Sequence, residues 1–265
     1  MKMEQLFDVT GNVSLVTGAG SGIGLAMAEV MADNGARVVM VDIDADRLDA
    51  AVKRMQEANL AVEAAVADVA DSNRLREVIE ATARKYGRLD SVFANAGISA
   101  GPGFAMTPKG QIDAIDISLW EKVLQINLTG VLVTMAAAAA QMKRQRRGRI
   151  IVTSSSAGLM AEPLVGYGYV ATKAAITNLV RQAALELAPH NVIVNAICPA
   201  AFITNIAGGL MFHDPVAKGK MEERVALHRL AKTDEIKGLA LLLASPASSF
   251  ITGAAIPIDG GLTAG

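Results

Sequence analysis

Residues 12–24 read NVSLVTGAGSGIG. The first half is a short apolar run with Val13, Leu15 and Val16, which reads as a strand. It breaks into glycines and then continues as LAMAEVMADN, a helix-forming stretch that Gly35 ends. Gly18, Gly22 and Gly24 are spaced GxxxGxG. Glycine permits a tight turn and lets a backbone come close to a pyrophosphate. A helix that starts there offers free N–H groups and its positive dipole end to the phosphates. A glycine loop can also simply turn a chain. The strand before and the helix after favour a dinucleotide site, and with it an open sheet of parallel strands.

Working outward, the same alternation repeats. ARVVMVD (36–42), AVEAAVADV (61–69), LDSVFANAG (89–97), RIIVTSS (149–155), NVIVNAICP (191–199) and AAIPID (254–259) read as six further strands. Between them, 44–59, 71–87, 118–145, 169–187 and about 234–243 carry helical patterns. Strands that alternate with helices imply a parallel sheet covered on both faces, with right-handed crossovers. The expected fold is α/β, a doubly wound parallel sheet of about seven strands in one domain spanning 1–265. Two long segments follow strands and so fall at the carboxyl edge, where such folds bind ligands. They are 99–116 and 200–222, both read as loops.

Composition narrows the function. Hydrophobic residues make up 52% and charged residues 19%, with net charge −1, so no global basic field attracts nucleic acid. The cluster KRQRRGR at 143–149 reads as a solvated helix end closed by Gly148. The longest uncharged stretch, Val192 to Phe212, holds Asn195, Pro199 and Asn205 and makes a poor membrane span. One cysteine, Cys198, rules out a disulfide within the chain and fits a reducing compartment, so a cytoplasmic location is expected. His190, His213 and His228 are scattered, so no metal site is expected.

Asp42 ends the second strand. A carboxylate there can accept hydrogen bonds from an adenosine ribose and repel a 2′-phosphate. A helix N-cap is the competing use. Ile43, Ala19 and Ser21 offer no cation for a 2′-phosphate, so NAD is expected over NADP.

Residues 167–173 read YGYVATK. Tyr169 and Lys173 are four apart and share a helix face, whereas Tyr167 points elsewhere. An ammonium near a phenol favours phenolate and lowers its pKa, and such a tyrosine can give or take a proton. Alone, this pair would more often be chance than chemistry.

TGAGSGIG, the NAG at Asn95–Gly97, Asn127 in INLTG, the serine run before AG at Gly158, and YVATK together resemble the short-chain dehydrogenase/reductase family. Asp68, NAICP and ITGAAIPIDGG add to the likeness, which runs from about Asn12 to Gly261. The resemblance implies NAD(H)-dependent hydride transfer between nicotinamide and a secondary alcohol or ketone. It implies a tetrad of Asn127, Ser155, Tyr169 and Lys173, with Tyr169 as acid/base. Ser154, Ser155 and Ser156 are consecutive; the family spacing selects Ser155, and Ser156 stays open. Gly18, Ser21, Gly22, Ile23, Gly24, Asp42, Ile43, Asp68, Val69, Asn95, Ala96, Gly97, Pro199, Ile203 and Thr204 would join Tyr169 and Lys173 around the cofactor. The family usually has PG where this chain has Pro199-Ala200, a departure that bears on the shape of that loop and leaves the cofactor site as implied. A homotetramer is implied in the same way. Ser99, Met160, Phe202 and Met211 are expected at the substrate, a small molecule with a mainly apolar skeleton. A sugar or hydroxy-acid substrate and a non-catalytic NAD(H)-binding protein are the alternatives.

Overall fold

β1 (Val13–Thr17) is an interior strand of a computed structural model that describes residues 2–204, 206 and 214–264. It pairs with β2 (Arg37–Asp42) on one side and β4 (Ser91–Ala94) on the other. β3 (Val62–Val66), β5 (Gly148–Thr153), β6 (Val192–Pro199) and β7 (Ala255–Ile258) complete one sheet in the order β3-β2-β1-β4-β5-β6-β7. Every pairing is parallel. The winding reverses between β1 and β4, which opens a crevice at their carboxyl ends.

Each strand feeds two cores because successive side chains point to opposite faces. Leu15, Val39 and Val41 face α4 (Ser72–Tyr86), α6 (Gly130–Gln145) and α7 (Tyr167–Leu187), where Leu75, Ile79, Ala138, Met142, Ile176 and Val180 are buried. Val16, Val38 and Met40 face α2 (Gly22–Asp33), α3 (Ala45–Glu57) and α9 (Lys237–Ala244), packing with Met27, Met31, Leu48 and Leu243. The doubly wound α/β sheet read from the sequence is therefore the fold. Short α1 (Met3–Leu6) precedes it.

The helix expected at 118–145 is continuous but changes pitch. α5 (Ile117–Val123) passes through a π-helical turn at Leu124–Thr129 into α6. The run Ile117–Gln145 is long and apolar enough to cross a membrane, yet half of its most apolar window is buried in the protein.

Segment 200–222 is not all loop. α8 (Pro215–Arg224) occupies its end, with the Asp214 carboxylate accepting from Val216 N at 2.9 Å and Ala217 N at 3.3 Å. The signal was Asp-Pro, an N-cap followed by proline at the first helical position. Its apolar face is only Ala217 and Met221, too narrow to register as a periodicity. Segment 99–116 has no α-helix or strand of its own; it holds two 3₁₀ turns, Pro108–Gly110 and Ile112–Ala114.

Candidate active site

The glycine loop runs straight from β1 into α2. Gly18 has φ +68°, a left-handed conformation that favours glycine. A Cβ at Gly24 would collide with the Gly18 carbonyl oxygen and the Asn95 amide, so α2 can start against the loop only with glycine there. Asp42 reaches back to the loop: Oδ2 accepts from Gly20 N at 2.8 Å and Oδ1 from Asp44 N at 3.0 Å. The helix cap of α3 is Asp44, whose carboxylate accepts from Arg47 N, so Asp42 is not spent as a cap. Ile43 is exposed beside it.

β4 delivers Asn95 next to β1. Its Nδ2 donates to Thr17 O at 3.0 Å, and Thr153 Oγ1 donates to its Oδ1 at 3.0 Å. Thr17 Oγ1 accepts from the N–H groups of Asn95 and Ala96. The edge at Asn95–Gly97 is thus pinned to both neighbouring strands. Asp68 Oδ1 accepts from Ala70 N at 2.8 Å just past β3, and Val69 is buried.

Asn127 sits in the π-helical turn and is buried. Its Nδ2 donates to Ile98 O and its Oδ1 accepts from Ile98 N, both at 2.8 Å. A Cβ at Gly97 would lie 3.3 Å from Asn127 Oδ1 and 3.8 Å from Lys173 Nζ. Gly97 therefore lies directly against Asn127 and Lys173.

The three serines after β5 differ in what they touch. Ser154 Oγ donates to Lys173 O at 3.0 Å and meets Thr177 Oγ1 at 2.9 Å, tying β5 to α7. Ser155 Oγ donates to Pro199 O at 3.3 Å and accepts from Ala157 N at 3.2 Å, and it is the serine that draws the Tyr169 phenol down. Ser156 is buried at the start of the 3₁₀ turn Ser156–Gly158. Ser155 is the one beside the phenol.

Tyr169 and Lys173 project from the first two turns of α7, which starts at Tyr167 and not at Tyr169. Lys173 Nζ donates to Thr153 O at 2.7 Å and lies 5.4 Å from the Tyr169 ring centroid. Burial pushes the ammonium down to about 8. Burial also pushes the Tyr169 phenol up, and only the Ser155 hydrogen bond works against it. The expected depression of the phenol by the lysine is corrected here. Desolvation disfavours the phenolate more than Ser155 favours it, and Lys173 is not among the groups that lower it. Cys198 is a buried core residue, its thiol pushed up to about 11 by desolvation. Thr153, which holds Lys173 through its backbone and Asn95 through its side chain, was missed because a strand-end threonine carries no distinctive sequence signal.

Residues 18–263 match the family described as enoyl-(acyl carrier protein) reductase. The 3-oxoacyl-(acyl-carrier-protein) reductase of Thermotoga maritima is 35% identical over 256 residues, covering 95% of this chain and 98% of that one. The chain belongs to the short-chain dehydrogenase/reductase family. Cis-4-hydroxycyclohexanecarboxylate dehydrogenase of Sinomonas cyclohexanicum is 34% identical, with 95% and 96% of the two chains covered. A gluconate 5-dehydrogenase from Burkholderia cenocepacia, solved in complex with NADP and tartrate, superposes with a TM-score of 0.91 at 30% identity over the full length of both chains. The chain is thus an oxidoreductase from a family that binds a nicotinamide cofactor, and its relatives are dehydrogenases and reductases acting on CH–OH groups.

The residues fit such a cofactor. Gly18, Gly20, Gly22 and Gly24 leave backbone bare at the start of α2, and Gly97, without a side chain, lies against Asn127 and Lys173. Thr204 leans over Gly22, since a Cβ there would stand 3.5 Å from its side chain, and Ile203 beside it is exposed. Both follow Pro199, which closes β6.

Of the residues expected at the substrate, Met160 is half-buried beyond the serine turn, and Ser99 Oγ is taken by Gly101 N at 3.1 Å. Phe202 forms a parallel bridge with Ala231 and is 6% exposed, packed with the α2-side core. Met211 lies outside the described residues.

Proposed function

We propose that the protein is an NAD-preferring dehydrogenase of secondary alcohols, or reductase of the matching ketones, on a mainly apolar skeleton. The observation that carries this is the Ser155–Tyr169–Lys173 arrangement beside Gly97. When bound, the nicotinamide supplies the hydride acceptor or donor. Tyr169 takes the alcohol proton at its phenol oxygen, or returns it to the ketone oxygen. Ser155 donates a hydrogen bond to that substrate oxygen as charge develops. Lys173 holds a positive charge near the phenol and lies against Gly97, where the cofactor ribose would sit. Asn127 keeps the Ile98 backbone in place next to that glycine.

The NAD preference rests on Asp42, whose carboxylate is anchored beside the loop by Gly20 N. The apolar skeleton is supported by the cluster of Leu164, Met221 and Leu230 with Met106 and Ala201, on segments that follow β4, β5 and β6. A cyclohexane-ring substrate named for one relative agrees with it. The gluconate named for the Burkholderia protein keeps a sugar acid as the second reading. We read the assembly as a homotetramer, supported by Leu132 on α6 and Leu185 on α7, which are exposed apolar residues. A cytoplasmic location remains part of this reading, supported by the single buried thiol. The test is NADH and NADPH formation with cyclohexanol, medium-chain 2-alkanols and gluconate, alongside sedimentation of the native protein. Formation of NADH from the first two groups supports the reading, and gluconate turnover alone rejects its substrate class.

A further inference from the structure

The segment Glu162–Gly166 joins the serine turn to α7, and three elements fasten onto it. The first is the catalytic helix itself, where Tyr169 N donates to Gly166 O at 3.0 Å. The second is segment 99–116. Gly103 N donates to Leu164 O at 3.0 Å, Ala105 N to Pro163 O at 3.1 Å, and Gly166 N to Gly101 O at 3.0 Å. Pro102 and Val165 form an antiparallel bridge. This stretch is therefore a fixed wall.

The third element is α8. Met221 packs with Leu164 and Leu230, and Arg224, one turn further on, donates to Glu162 Oε1. Glu162 is deeply buried, with its side chain 3% exposed, against 27% for Arg224. Oε1 also accepts from Leu164 N at 3.2 Å, while Oε2 has no partner among the described residues. A buried carboxylate with one bare oxygen is a poor stabilising device, because desolvation offsets the attraction of the pair. Its distinctive consequence is directional: Arg224 is the charged tie between α8 and the segment that leads into the phenol. α8 is otherwise lightly held, with only Ala217 and Met221 buried.

We propose that Glu162 and Arg224 form a latch that holds α8 down over the substrate end of the cleft, and that both act as positioning residues for substrate. The substrate part rests on the function proposed above. With the latch broken, the wall and the phenol stay where they are and α8 lifts. Binding then weakens while the reacting groups keep their geometry, which is a rise in KM at nearly constant kcat.

The variants are Glu162→Gln, which keeps size and an acceptor, and Arg224→Gln. Arg224→Lys is the conservative rescue, and Lys218→Gln, which removes an exposed pair with Glu222 on the same helix, is the control. Hydrogen exchange of the full-length protein should be at least about tenfold faster in α8 in both latch variants, unchanged in the β-sheet, and unchanged in Lys218→Gln. With cyclohexanol and NAD, KM should rise about tenfold with kcat within about twofold, and Arg224→Lys should recover part of it. Unchanged exchange in α8, faster exchange throughout the sheet, or a fall in kcat at constant KM each overturns the latch. If the wild type leaves cyclohexanol untouched, the proposed substrate class fails, and the exchange measurement still decides the latch.

Discussion

The ammonium of Lys173 lies 5.4 Å from the centroid of the Tyr169 ring and is held there by the Thr153 carbonyl. Tyr167, two residues earlier, instead stands 6.4 Å from the Phe104 ring on the exposed side of the helix. Only Tyr169 has both Ser155 and Lys173 beside it. Tyr169→Phe should lower kcat by about 10² to 10⁴ while NADH still binds, because the ring stays and the proton carrier goes. Tyr167→Phe should change turnover little. Steady-state rates and NADH fluorescence titration check this, and the reverse ranking of the two variants would reject the assignment.

The buried lysine makes stability depend on pH. An unfolded lysine titrates near ~10.4, while Lys173 in the fold is pushed down to about 8. Below about 8 both states hold the proton, and folding carries the full cost of burying the ammonium. From about 8 to about 10 folded Lys173 releases its proton first, so this residue adds stability with rising pH, by up to ~1.4 kcal/mol per unit, while the raised Cys198 thiol opposes it from about 9 in the wild type and in a Lys173 variant alike. Tyr169, whose pKa is raised, opposes this only above the range of an ordinary phenol. Lys173→Met lacks the gain. Urea denaturation of both proteins from pH 7 to pH 10 should show the advantage of the methionine variant shrinking as pH rises; a constant difference would contradict it.

Cofactor preference should follow Asp42. Its carboxylate is fixed by Gly20 N and Asp44 N, so it cannot swing away from an incoming 2′-phosphate. Asp42→Ala removes an acceptor and a repulsive charge, and should narrow the NAD-over-NADP ratio of kcat/KM by about tenfold or more. A wild type equally efficient with both cofactors would count against this role.

Much of this was legible because period and punctuation agree. NVSLVTG and ARVVMVD alternate cleanly into two cores, and Gly35 and Gly87 end their helices as written. What was not legible depends on tertiary context. The burial of Phe202 comes with its parallel bridge to Ala231, a pairing the local sequence does not announce. The direction of the Tyr169 shift turns on how deeply α7 is packed, which residue spacing does not encode. The Glu162–Arg224 pair joins residues far apart in the chain, with no local pattern to announce it.

Substrate choice should follow the apolar cluster under α8. Leu164, Met221 and Leu230 are buried, with Met106 and Ala201 against them. The members of the cluster are all uncharged, and Glu162 and Arg224 beside it engage each other. A hydroxyl or carboxylate brought against Leu164 and Met221 would lose water without gaining a partner. Each buried CH₂ adds about 0.8 kcal/mol, so kcat/KM should rise several-fold per methylene from 2-butanol to 2-octanol until the cleft is full. Cyclohexanol should exceed an acyclic polyol of similar size. Met221→Asp should abolish the chain-length trend, because it places a carboxylate in the centre of the cluster, while Met221→Leu should keep it. Measured with NAD across the matched series, a flat response to chain length together with superior turnover of gluconate would reject the apolar reading and leave the dehydrogenase chemistry of Tyr169 intact.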